Sequence, residues 1–259
     1  MTKVLAVANQ KGGVGKTTTS VNFAAGLALS RRRVLLVDMD PQGNSTSGIG
    51  LGPDERTPGI YEALIAHVPM SEVIRETSTG KLHVAPSGPG LIGAEVELVD
   101  LPDRNDLLHR ALKSVKDRFD YIVIDCPPSL GLLTVNAMCA ADELVVTLQA
   151  EYYALEGLSA LTRTVDAIRE AYNPRLIIGG ILLTMMDRRT NLANQVEAEV
   201  RTHFGDRVFS TVIPRNVRLS EAPSFGQTIF RYDIKSSGAE AYLALAREFL
   251  KREKATDTP

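Results

Sequence analysis

The chain has 259 residues, of which 44% are hydrophobic and 23% charged, and a formal net charge of −2. That is ample apolar material for a buried core and an ordinary charge content for a soluble protein. Two cysteines, Cys126 and Cys139, are too few for a disulfide scaffold, and the longest nearly apolar stretch, Leu176 to Met186, is too short to span a bilayer.

Taken in order, Val4 to Ala8 is an uninterrupted apolar run, the pattern of a strand buried on both faces. It begins almost at the initiator Met, so no signal peptide is expected. Gly12, Gly13 and Gly15 then break the run, and from Lys16 the residues Val21, Ala24, Ala25 and Ala28 recur at helical spacing. Val34 to Val37 is a second buried strand, followed by the turn-rich DMDPQGNST. Short helices are expected near Tyr61 to Ala66 and Ser71 to Arg75, with a strand at Leu82 to Ala85. Asp106 to Phe119 reads as one amphipathic helix carrying Leu107, Leu108, Ala111, Leu112 and Val115 on one face. Further strands are expected at Tyr121 to Asp125, Leu144 to Leu148, Ile177 to Thr184 and Val208 to Ile213. Helices are expected at Leu158 to Tyr172, Leu192 to Phe204 and Gly238 to Lys251. This alternation predicts one α/β domain over residues 1–251, a mainly parallel twisted sheet with helices on both faces. Residues 252–259 read as a disordered tail.

Strand, glycine loop and helix in that order make a phosphate cradle, in which successive backbone N–H groups and the helix dipole point at one anion. Gly12, Gly13, Val14, Gly15 and Thr18 supply the loop, Lys16 a point charge for the outer phosphates, and Thr17 a hydroxyl placed to ligate Mg²⁺. The first glycine of the G-x-x-x-x-G-K-[ST] pattern is Gln10 here, and a second lysine, Lys11, heads KGGVGKTT. This loop resembles the deviant Walker A loop of the ParA/MinD group of P-loop ATPases. The resemblance implies a P-loop NTPase fold, ATP and Mg²⁺ as ligands, and a Lys11 that reaches across a homodimer to the partner subunit's nucleotide.

Asp125 closes the strand YIVID and would arrive at the same sheet edge, where ligands of open α/β sheets sit. A carboxylate there can hold Mg²⁺ through its water shell, and Asp125 matches the family's Walker B aspartate. Asp38 and Asp40 follow the second strand. The resemblance gives Asp40 a role in positioning water and metal for hydrolysis, with Asp38 as support. Ile213 to Ile229, IPRNVRLSEAPSFGQTI, closely resembles a loop of ParA/Soj proteins that touches the adenine side of the nucleotide, where Pro214 and Asn216 match contact positions. Cys126 and Cys139 lack the placement of the cluster ligands in the nitrogenase iron protein and read as core residues.

Residues 188–235 hold eight basic and five acidic side chains, a net charge of 8 − 5 = +3 in a chain of −2. Such a region can hold DNA through phosphates without sequence preference, and Arg189 and Arg218 match positions that ParA/Soj proteins use for this. The expected protein is therefore a ParA/Soj-like partition ATPase, cytoplasmic and nucleoid-associated. It would dimerise on Mg·ATP, bind non-specific DNA, and release it on hydrolysis stimulated by a ParB-type partner. Two rivals are a MinD-like membrane-associated switch and a P-loop synthetase that activates a small acid. The first would call for a basic, bulky apolar helix at the C-terminus, which KREKATDTP is not. No membrane partner is expected.

Overall fold

Strands buried on both faces need apolar residues at every position, and the central strands here have them. In the computed structural model, which describes residues 2–256, they are β1 (Lys3–Ala8), β2 (Val34–Asp38), β4 (Leu82–Ala85), β5 (Tyr121–Asp125), β6 (Glu143–Gln149) and β7 (Ile177–Thr184). The two-residue β3 (Arg75–Glu76) completes a sheet of order β3-β4-β2-β5-β1-β6-β7, parallel except for the β3–β4 pair.

Alternate strand residues feed two cores. Leu5, Val7, Leu36 and Val123 pack with Phe23 and Leu27 of the helix Lys16–Leu29 and with Tyr242, Leu245 and Phe249 of the helix Ser237–Thr256. Ala6, Leu35, Val37 and Ile124 face the other way, toward the helices Ile60–Leu64, Leu107–Lys113, Leu132–Ala140, Ala154–Ala171 and Asn191–Phe204. The register sets Val7 and Asp38 on either side of Asp125, so β1, β2 and β5 end at one level. That shared edge carries the site.

Four expectations are corrected. Val208 to Ile213 is not a strand. It touches the sheet through isolated bridges, Ile181 to Val208 and Met186 to Pro214, because the Glu248 carboxylate takes the N–H groups of Ser210 and Thr211 at 2.7 and 2.8 Å. The helix expected over Asp106 to Phe119 stops at Lys113, and a short 3-10 turn, Lys116–Arg118, follows. This break leaves both Val115 and Phe119 in the core. The segment expected as a helix to Arg75 is helical only over Met70–Val73, and Arg75 enters β3. The last helix runs on to Thr256 rather than ending at Lys251; residues 257–259 of the expected tail lie outside the described residues.

The first and last helices are locked by an aromatic cluster, with Phe249 edge-on to Phe23 at 5.3 Å and to Tyr121 at 5.7 Å. Phe249→Ala should cost about 3–5 kcal/mol of unfolding free energy, read as a lowered denaturant midpoint. A loss under about 1 kcal/mol would mean that this helix contributes little to the fold.

Candidate functional site

The loop between β1 and the first helix turns with Gly13 at φ +73° and Gly15 at φ +82°, a left-handed conformation that side chains with a Cβ resist. Gly15 caps the helix without any side-chain bond, which leaves its N-terminal N–H groups free for an anion. The Val14 carbonyl accepts a 2.9 Å bond from the buried Thr184 hydroxyl at the end of β7, so the loop is braced from across the sheet. Lys16 is 7% exposed, and its ammonium donates to the Lys11 carbonyl at 3.0 Å. Burial lowers its pKa, and the charges of Asp125 and Asp40 oppose that fall.

Beside the loop, Asp38 and Asp125 sit opposite one another on adjacent strands, both wholly buried. Asp125 accepts from the Ser20 hydroxyl at 2.9 Å and from the Ser45 hydroxyl at 2.7 Å. Asp38 accepts from the Thr46 N–H and hydroxyl at 2.8 and 2.7 Å, and from the Asp40 N–H at 3.2 Å. Burial raises both acids, Asp38 to about 7 with a contribution from the Asp125 charge, and Asp125 to about 6 against the hydroxyls of Ser45, Ser20 and Thr17. Two carboxylates this close in a dry interior resist ionising together. Asp38, expected only as support, is thus half of the central pair. Ser20, Ser45 and Thr46 were not singled out in the sequence, although Ser45 and Thr46 stand in the turn-rich run after Asp40.

A cavity of about 390 Å³ opens over this edge, lined by Gly12, Gly13, Gly15, Lys16, Thr17, Thr18, Asp40, Gln42, Asn44, Pro128 and Met185. The residues proposed for magnesium fit that ion. Thr17 and Asp40 line the cavity, the Thr17 hydroxyl reaches Asp125, and Asp40 lies in the electrostatic reach of both Asp125 and Lys16. Among the described residues no group of three or more His, Cys, Asp or Glu could hold a metal alone. Magnesium that arrives with phosphates asks for less, one or two carboxylates and a hydroxyl.

A second, narrower cavity of about 160 Å³ shares Gly15, Thr18 and Met185 with the first and holds Pro214 and Asn216. Met185 at their common rim has φ +50°, strained for a side chain of this size. The Asn216 amide is engaged at both ends: its oxygen accepts from the Arg218 N–H at 2.8 Å, and its nitrogen donates to the Ser237 hydroxyl at 2.7 Å. It therefore shapes the wall of this cavity and caps the helix Val217–Glu221.

Lys11 is set apart from its own pocket. Its ammonium pairs with Glu151 at the surface, although its N–H is anchored on Asn9. Arg189 and Arg218 are likewise exposed, Arg189 paired with Asp187 at 2.6 Å and Arg218 with Glu221 at 2.8 Å and Asp233 at 3.6 Å. The bridge of Met186 to Pro214 brings the segments bearing these arginines together.

A family model described as an AAA domain matches residues 2–178. The chain is 56% identical to the chromosome partitioning protein ParA of Myxococcus xanthus over 257 residues, covering 99% of this chain and 89% of that one. It is 54% identical to the sporulation initiation inhibitor protein Soj of Bacillus subtilis over 248 residues, covering 96% and 98%. The chain belongs to the ParA/Soj family of chromosome-partitioning ATPases. Among solved structures, a cobyrinic acid a,c-diamide synthase from Mycobacterium smegmatis, with bound ATP analogue and magnesium, superposes with a TM-score of 0.86 at 38% identity, covering 99% of this chain and 97% of that one. The ParA/Soj likeness extends through the 214–229 loop and the last helix, beyond the reach of the AAA model.

The buried acid pair makes a pH prediction for the protein free of nucleotide and metal. Both pKa values lie above the unfolded value of 3.8, so the folded state holds protons that the unfolded chain releases, and stability falls as pH rises from about 4 to about 7. Asp125→Asn, whose amide the rotatable Ser20 and Ser45 hydroxyls can still satisfy, should flatten this slope. At pH 8 it should be more stable than wild type by an amount on the order of a few kcal/mol. Denaturant melts in chelator across this range check it; an unchanged slope in the variant would show that the pair is not strained by charge.

Proposed function

We propose that the protein is a Mg·ATP-dependent partition switch that dimerises around two nucleotides, binds DNA without sequence preference and lets it go on hydrolysis. The observation that carries this is the pair of joined cavities, one rimmed by the glycine loop with Lys16 and Asp40, the other by Pro214 and Met185. The first takes the phosphates on loop amides and Lys16, and the second takes the adenine. Magnesium, when bound, neutralises charge on the outer phosphates. Thr17 and Asp125 would hold that ion, while Asp40 would orient the attacking water.

Lys11 lies outside its own pocket on an exposed ion pair with Glu151, and such pairs contribute little and exchange readily. It is therefore available to a second subunit's nucleotide once two copies close face to face. Closure aligns Arg189 and Arg218 of both copies, and affinity for DNA rises steeply with the number of phosphate contacts. Their carboxylate partners are at the surface, so phosphates can take those places. A ParB-type protein speeds hydrolysis, and the protein is cytoplasmic, associated with the nucleoid while it holds ATP. No helix among the described residues is long and apolar enough to cross a membrane. The apolar face of the last helix, Tyr242, Leu245, Ala246 and Phe249, is spent on the core, which disfavours a MinD-like membrane role.

A second reading comes from the diamide synthase likeness: the same pocket would activate a carboxylic acid with ATP. ATP turnover that depends on an added acid and an amine donor, with DNA and partner absent, would favour it.

The partition reading is tested in an Asp40→Ala background, which removes the water-positioning carboxylate and should trap an ATP-bound dimer on DNA. Adding Arg189→Ala or Arg218→Ala should leave that dimer intact. Each should weaken binding alike on unrelated sequences and lower the salt slope by about 2, one phosphate contact for each of two copies. Wild-type DNA affinity and slope in the triple variant would rule out this surface. Loss of ATP affinity first would make both arginines internal braces.

A further inference from the structure

The helix Leu91–Glu97 and the turn Leu98–Asp100 after it are apolar on two sides. Leu91, Ala94 and Leu98 are fully buried in the core, while Ile92, Val96 and Val99 form an outer row that is 69%, 76% and 51% exposed. A helix apolar on opposite faces ordinarily has both covered, and contiguous apolar surface with a polar rim marks an interaction site. The rim here is predominantly acidic. Residues 91–103 contain Glu95, Glu97, Asp100 and Asp103 and no Lys or Arg, and the cation that follows, Arg104, is engaged with the Val99 carbonyl at 2.5 Å. Asp103 is paired with Arg110, and Glu97 accepts from the Tyr61 hydroxyl at 3.0 Å.

The inner end of this surface touches the nucleotide edge. Glu95 lies against Gly131, where any Cβ would collide with its carboxylate, and one Glu95 oxygen is buried with no hydrogen-bond partner. Gly131 caps the helix Leu132–Ala140 and follows the loop Pro128–Leu130, whose Leu130 is exposed and whose Pro128 lines the phosphate cavity. Glu95 is thus the side chain through which the Leu91–Glu97 helix meets the segment that follows this loop.

We propose that Ile92, Val96, Val99 and their acidic rim are the docking surface for a basic amphipathic segment of the ParB-type partner, which acts on hydrolysis through Glu95 and the Pro128–Leu130 loop. This rests on the partner reading given above. Charge selects the occupant. A second copy of this chain meeting the same patch across a twofold axis would set carboxylates against carboxylates, whereas a helix with apolar residues on one side and Lys or Arg flanking them complements both the row and the rim.

The test uses the full chain with Mg·ATP and a purified ParB-type protein from the same source. Ile92→Ser/Val96→Ser should lower partner affinity at least 10-fold and abolish stimulation of hydrolysis. Asp100→Lys should weaken binding several-fold at low salt and less at high salt. Basal hydrolysis, ATP-dependent dimer mass and melting temperature should match wild type in all of them, since none of these side chains lies in the nucleotide cavity or the core. Partner binding at wild-type strength in the double variant overturns the surface while leaving the partnership standing. Failure of the wild-type chain to bind or respond to the partner overturns the partnership and the surface with it. Loss of ATP-dependent dimerisation in the double variant, with no partner present, assigns the row to a second copy and overturns the proposal as well.

Discussion

Asp38 and Asp125 face one another at the ends of adjacent parallel strands, out of contact with water. Much else in the molecule is arranged around that constraint. Buried carboxylates must be hydrogen-bonded or neutralised, and here the donors come from separate elements. Ser20 reaches in from the phosphate-loop helix, while Ser45 and Thr46 reach in from the short helix Asn44–Gly48 after β2. The Thr46 hydroxyl in turn accepts from the Ser87 N–H at 3.0 Å, just past β4. Satisfying two acids thus ties together the glycine loop, the loop that carries Asp40, and the edge of the sheet. Any cation or phosphate that alters charge at this point is felt by all three.

The parts of this arrangement that repeat a physical pattern were legible in the sequence. Apolar runs as short as Val4 to Ala8 and Tyr121 to Asp125 match strands covered on both faces. The glycines before Lys16 have one use in front of a helix. The hydroxyl network was not legible, because Ser20 and Thr46 are common residue types and their partners lie 105 and 8 positions away. The partners of Asn216 were equally out of sight: its amide suits a purine edge as a type, and here tertiary contacts engage it with Arg218 and Ser237 on the wall of the second cavity. Val208 to Ile213 has strand composition, but a glutamate 38 residues away takes the Ser210 N–H group in its middle. Local propensity yields to such competition for backbone donors.

Charged residues at the surface show the opposite balance. Lys11, Arg189 and Arg218 each have an acidic neighbour in this chain, and sequence reading gave those same arginines a role between molecules. The two descriptions are compatible because exposed ion pairs are weak. A partner that offers phosphates, or a nucleotide held by a second subunit, needs only to outcompete a solvated carboxylate.

In the proposed switch two lysines five residues apart divide the labour, Lys16 serving the nucleotide in its own subunit and Lys11 the one across the dimer. Calorimetric titration with Mg·ATP, with dimer mass measured in the same samples, addresses this division directly. Lys16→Ala should lose ATP affinity. Lys11→Ala should bind ATP nearly as wild type does, because the loop amides and Lys16 remain, yet stay monomeric. Equal loss of monomer ATP affinity in the two variants, or a normal ATP-dependent dimer in Lys11→Ala, would contradict that division.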